Sequence, residues 1–156
     1  MVVNTGVRID CRMDPAVPDG GWWIYKHMGI PEVLWDTTRV ERWRSELQKS
    51  HPHDKEEPAI PGNEIYERVE QDNGLVNAAL LDYLLEHQEL IPGDWKDSKT
   101  YFWGTLYQHP LGTIGVRFMT FDEGRQRFIS SIRRMSDELG KHDWALLVYD
   151  YPLPAK

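Results

Sequence analysis

Apolar positions recur along this chain with two periods, and each predicts its own kind of element. Val2 to Asp10 and Gly21 to His27, rich in β-branched and aromatic residues, predict two strands. The turn-forming stretch from Asp14-Pro15 to Pro18-Asp19-Gly20-Gly21 joins them as a loose hairpin. From Thr37 to Lys49 the spacing changes: Val40, Trp43 and Leu47 fall at i, i+3 and i+7 behind Asp36 as N-cap, which predicts a helix burying one narrow stripe. Residues 50–61 hold three prolines and the run His53-Asp54-Lys55-Glu56-Glu57, and read as an exposed loop. Asn63 then heads a short helix carrying Ile65, Tyr66 and Val69, broken by Asp72-Asn73-Gly74.

A longer helix is predicted from Leu75 to Leu90. Val76, Ala79, Leu80, Tyr83, Leu84 and His87 share one face, and Asp82, Glu86 and Glu89 the other. Ile91-Pro92-Gly93 stops it, because proline breaks the hydrogen-bond ladder. Thr100–Gln108 and Thr113–Phe121 predict a hairpin around His109-Pro110-Leu111-Gly112. Between Arg127 and Met135 strand and helix compete; Phe128, Ile132, Met135 and Leu139 at i, i+4, i+7 and i+11 favour a helix, with Asp122 as N-cap and Gly140 at its end. Trp144 to Tyr151 is apolar on both faces and predicts a central strand, parallel to the second hairpin strand through a right-handed crossover. The expected class is α+β in a single domain: an N-terminal strand pair, three helices in the first two thirds, and a C-terminal β-β-α-β unit with a mixed sheet.

Size and cysteine content narrow the picture. A chain of 156 residues supports one core. Its one cysteine, Cys11, excludes an intramolecular disulfide or a cysteine-only metal site, and is expected to be a small buried residue. No stretch is long and apolar enough to span a membrane and no basic, apolar leader opens the chain, so a cytoplasmic protein is expected.

The net charge of −7 is unevenly spread: residues 54–99 hold twelve acids against four bases, while the flanking parts are nearly balanced. Glu64, Glu67, Glu70, Asp82, Glu86 and Glu89 therefore form a candidate acidic surface for a basic partner, acting within a Debye length of about 8–10 Å. Basic residues cluster only at Arg117, Arg125, Arg127, Arg133 and Arg134, the alternative footprint, which would grip phosphates from the predicted C-terminal helix.

Tyr101, Trp103 and Tyr107 at spacing two suggest a stacking platform. A four-residue turn would pair Tyr107 with Ile114, Trp103 with Phe118 and Tyr101 with Thr120, making that face core. Phe102, Arg117 and Met119 would then lie on a mixed face where a partner could dock.

Catalytic signals are sparse. His51 and His53 with Asp54 and Glu56 have metal-ligand spacing but sit in the loop, so no metal and no cofactor are expected. Asp94-Trp95-Lys96 has the acid-x-Lys spacing of some metal-dependent nucleases, and Asp10 and His87 are further candidates for a small hydrolase. Phosphate loops, nucleophile elbows, zinc-protease signatures and dinucleotide fingerprints are missing. The leading expectation is a small non-enzymatic interaction protein of inhibitor, immunity or phage type, engaging a basic protein through its acidic helices, with nucleic-acid binding and metal-dependent hydrolysis as alternatives.

Overall fold

Residues 99–108 carry large apolar side chains at both parities, and such a strand is stable only where both of its faces are covered. It has that place in the computed structural model, which describes residues 6–36, 38–45 and 60–149. The strands are β1 (Val7–Asp10), β2 (Trp23–His27), β3 (Glu32–Trp35), β4 (Val40–Trp43), β5 (Ile60–Pro61), β6 (Lys99–Gln108), β7 (Ile114–Asp122), β8 (Arg127–Arg134), β9 (Glu138–Leu139) and β10 (Asp143–Val148). Among the described residues two helices, α1 (Gly62–Val69) and α2 (Ala78–Glu86), and 3₁₀ turns at Gln88–Leu90 and Gly93–Asp97 complete the elements. The main sheet runs β4-β10-β6-β7-β8, with β2 paired to the far end of β6, and β1-β3 and β5-β9 form two small pairs. The class is α+β, and among the described residues no helix is long and apolar enough to cross a membrane.

The two helices cover opposite faces of the sheet. On one, Phe102, Met119, Phe128 and Leu146 pack with Leu80, Leu81 and Leu84 of α2, and with Ile9, Trp35 and Trp95. On the other, Tyr101, Trp103, Phe118 and Leu147 pack with Ile65 and Val69 of α1, and with Ile60 and Leu139. Burial of each large side chain is worth roughly 1.5–3 kcal/mol, so the two layers hold the sheet between them.

Several expected elements take other forms. Val40–Trp43 is a strand, antiparallel to β10, because β10 is apolar on both faces and needs a neighbour beyond β6; Thr37 and residues 46–49 lie outside the described residues. Arg127–Arg134 is also a strand, paired with β7 over eight residues. The spacing of four between Phe128 and Ile132 fits a strand face as well as a helix face. Ser130 between them points to the same side, where its hydroxyl meets Arg117 at 3.1 Å. Asp122 caps a hairpin turn, not a helix: its side chain accepts from the N–H groups of Gly124 and Arg125, and Gln126 takes a left-handed φ of 53°.

The N-terminal hairpin is likewise replaced. β1 pairs with β3 and β2 with β6, both antiparallel. β10 lies parallel to β6, the first hairpin strand, and the chain reaches it from β8 through β9 without a helix. α2 begins at its N-cap Asn77, whose side chain accepts from the N–H of Ala79, and α1 starts after Pro61 with no side-chain cap.

The β6–β7 register departs from expectation by a bulge. Gln108 faces Ile114, Leu106 faces Val116 and Tyr101 faces Phe118, so five steps along β6 match two along β7. At the bulge the N–H of Gly104 donates to the carbonyl of Val76 and its carbonyl accepts from the N–H of Met28, both at 2.7 Å. A Cβ at Gly104 would overlap the Val76 carbonyl, so only glycine fits. The bulge splits the expected aromatic row. Tyr101 and Trp103 stay buried on the α1 face, while Tyr107 turns to the α2 face and donates to the carbonyl of Ala16 at 3.0 Å. Phe102, Arg117 and Met119 are buried, closed over by α2 and the segment around Ala16.

Candidate functional site

Making Val40–Trp43 a strand changes what its arginines meet. Arg42 lies opposite Leu146, so Arg42 and Arg44 project to the same face as Trp144, two residues earlier on β10. The 3₁₀ turn at Gly93–Asp97 brings Trp95 beneath them, and Trp35 of β3 meets Trp95 edge to face at 6.0 Å, its Nε1 donating to the carbonyl of Leu90.

The result is an alternating ladder of rings and cations. The Arg42 guanidinium lies 4.8 Å from the Trp95 ring and 4.9 Å from the Trp144 ring, and Arg44 lies 3.8 Å from Trp144. Each contact is worth about 0.5–2 kcal/mol, more where water is excluded. Two rings thus flank the Arg42 guanidinium and one lies against that of Arg44. Arg42 uses Nη1 to donate to Ser98 at 2.6 Å and Thr100 at 3.2 Å, and Arg44 uses Nη1 to donate to the Lys141 carbonyl. The Nε of Arg44 is buried and, among the described residues, has no hydrogen-bond partner. Among the described residues neither arginine has a carboxylate within ion-pair distance.

The electrostatics follow from that absence. Burial pulls the pKa of Arg42 down to about 10, against the opposing pull of Asp94 and Asp97, and burial lowers Arg44 as well. Both stay charged at neutral pH. A cleft of about 300 Å³ opens beside Arg42, lined by Trp35, Val40, Arg42, Pro92, Asp94, Trp95 and Trp144. Such an arrangement binds an anionic group edge-on, in the guanidinium plane.

The residues singled out from sequence are distributed differently. Glu64, Glu67 and Glu70 are exposed on and just after α1, whereas Asp82, Glu86 and Glu89 belong to α2 and the turn after it, and these two helices cover opposite faces of the sheet. Asp82 is engaged: it pairs with Arg117 at 2.9 Å and accepts from the N–H of Ala16 at 2.7 Å. Burial works against the Arg117 charge, but Asp82 and Tyr107 outweigh it and hold its pKa above the ordinary value.

The basic cluster shares no helix. Arg125 pairs with Asp122 in the turn, Arg133 lies near Asp137 and Asp143, and Arg134 pairs with Asp137. Arg127 and Arg134 sit at opposite parities of β8 and project to opposite faces.

Asp10 is exposed and held near a pKa of about 2 by its hydrogen bonds from Arg12. Asp94 and Lys96 are exposed on a surface turn, with the Lys96 ammonium 4.8 Å from the Phe121 ring. His87 stacks on Tyr83 at 4.0 Å with Nδ1 3.0 Å from the Tyr83 carbonyl. Cys11 is buried, and burial, with Asp10 and Glu32 nearby, pushes its thiol up to about 11. His51, His53, Asp54 and Glu56 lie outside the described residues; among the described ones no three His, Cys, Asp or Glu side chains converge as metal ligands do.

Sequence reasoning missed Arg42, Arg44, Trp95 and Trp144 as a group. The available signal was the alternation of Val40, Arg42 and Arg44, which reads as one strand face once residues 40–44 are taken as extended. Comparison of the chain with protein-family models, with curated proteins and with solved structures finds no match.

Proposed function

We propose that this chain is a non-enzymatic interaction protein that recognises an anionic group of a protein partner at the Trp95–Arg42–Trp144–Arg44 ladder. The observation that carries the reading is the accounting of donors: among the described residues, two partly desolvated guanidinium groups packed on rings have no carboxylate at ion-pair distance, and the buried Nε of Arg44 has no acceptor. Leaving a guanidinium donor unmet costs about 1–3 kcal/mol, and a carboxylate in the cleft would reach Arg42, which lines it.

Size and charge select the partner. A cleft of about 300 Å³ takes one acidic side chain, not a run of them. The net charge of −7 repels a polyanion more than it repels a single carboxylate, so an acidic protein segment is favoured over a nucleic-acid backbone. A basic partner gripped by the acidic helices has less support, because α1 and α2, which carry the acids, cover opposite faces of the sheet.

Tryptophan fluorescence tests the reading. Titration with a capped glutamate-containing peptide should give a saturable change, weakened about tenfold or more in Arg42→Met, which keeps the stem and removes the donors that line the cleft. Equal binding by the variant, or tighter binding of single-stranded oligo-dT than of the peptide, would contradict it.

A further inference from the structure

An edge strand leaves the N–H and C=O of every second residue without a strand partner, and proteins blunt such edges with charges, bulges, proline or a covering segment. Among the described residues the outer edges of the main sheet are treated unequally. β2 is blunted, since its register shifts between Ile24 and Lys26 and Lys26 is exposed on the edge. β4 is short, with Glu41 and Arg42 at its centre. β8 runs for eight residues in unbroken register with β7, and its middle, Ile129-Ser130-Ser131-Ile132, has no charge and no proline.

Gln88 shows which residues of β8 face outward. Its side-chain amide donates to the carbonyl of Phe128 at 2.9 Å and accepts from the Phe128 N–H at 2.8 Å, standing where a neighbouring strand would stand. Alternation then directs the backbone groups of Ser130 and Ile132 outward as well, and these make no backbone hydrogen bond beyond the strand among the described residues. A cleft of about 370 Å³ opens along this stretch, walled by Ala16 to Asp19 and floored by Arg117.

We propose that β8 accepts an extended acidic peptide as an added strand, beginning where Gln88 leaves off. Main-chain hydrogen bonds to Ser130 and Ile132 would hold it. Charge selects the occupant: β8 carries Arg127, Arg133 and Arg134 and no acid, and although Arg133 and Arg134 share Asp137, a second copy pairing through the same edge would bring arginines together, whereas acidic residues at the ends of a peptide would not. This site is separate from the ladder, since β8 and β4 are the two ends of the strand order.

The test is a backbone amide NMR titration of the intact protein with a capped Glu-Val-Thr-Val-Thr-Val-Glu peptide. Two further peptides carry N-methyl groups on one or the other alternate set of amides. The proposal expects shifts and slowed exchange at the Ser130 and Ile132 amides, a loss of about tenfold or more with one of the two methylated peptides, and a similar loss in Arg134→Glu, whose side chain is 64% exposed and outside the core. No shift along β8 at millimolar peptide, equal binding of all three peptides, or self-association of the free protein through β8 would overturn it. Shifts confined to Trp144 and Arg44 would do so too, while leaving the ladder reading intact.

Discussion

Arg117 and Arg42 project from the same face of one sheet, and the fold balances their charges in different ways. Arg117, 4% exposed, is met by Asp82, by the hydroxyl of Ser130 and by the carbonyl of Ala16. Arg42 meets two tryptophan rings and two hydroxyls, with no carboxylate within ion-pair distance among the described residues. A guanidinium with a fixed countercharge is committed to structure, whereas one sandwiched by rings keeps its in-plane donors for a ligand. The same contrast separates two regions: the α2 side, where the Ala16 amide is pinned from both ends by Asp82 and Tyr107, and the β4 edge, where a cleft is left open.

The largest effect should come from breaking the closed region. Asp82→Ala leaves a buried, unpaired Arg117 and releases the Ala16 amide, and should cost about 3 kcal/mol in urea unfolding, at the low end for a buried pair because the Asp82 side chain is 30% exposed. Amide exchange at Ala16 should accelerate in the same variant. A loss below about 1 kcal/mol would show that the pair is not what closes this region.

A smaller effect should follow from pH. The folded state holds the Cys11 thiol at about 11 against an ordinary 9.0, so the neutral thiol is the form the fold favours. Its stabilisation is full below pH 9 and is lost as pH rises toward 11, because the unfolded chain releases the proton first. Unfolding stability should fall by up to about 2 kcal/mol across that window, and Cys11→Ala should remove this share of the slope. Thiol reagents at pH 8 should label the native protein far more slowly than the unfolded one.

How much was legible before the structure follows the same physical lines. β6 and β7 were visible because they are long runs rich in aromatic and β-branched residues flanking the turn at His109-Pro110-Leu111-Gly112, and α2 because its apolar face repeats. β8 was read as a helix because Phe128 and Ile132, four apart, satisfy both periods, and because Ser130, the residue that breaks an apolar strand face, is there to bond Arg117. The β6 bulge turns on a contact between Gly104 and Val76, 28 residues apart, that no local pattern announces. Acidic composition marked a segment, but α1 and α2 carry that segment to two faces. The ladder joins Arg42 to Trp144 across β4 and β10, a pairing that spacing along the chain does not record.

The most direct test of the central claim reads the arginines themselves. In an NMR spectrum of the arginine Nε–H groups, titration with a glutamate-containing peptide should move the Arg42 and Arg44 signals downfield and leave Arg117, already committed to Asp82, where it was. Movement of Arg117 with Arg42 and Arg44 unchanged, or of none of the three at saturating peptide, would contradict the account.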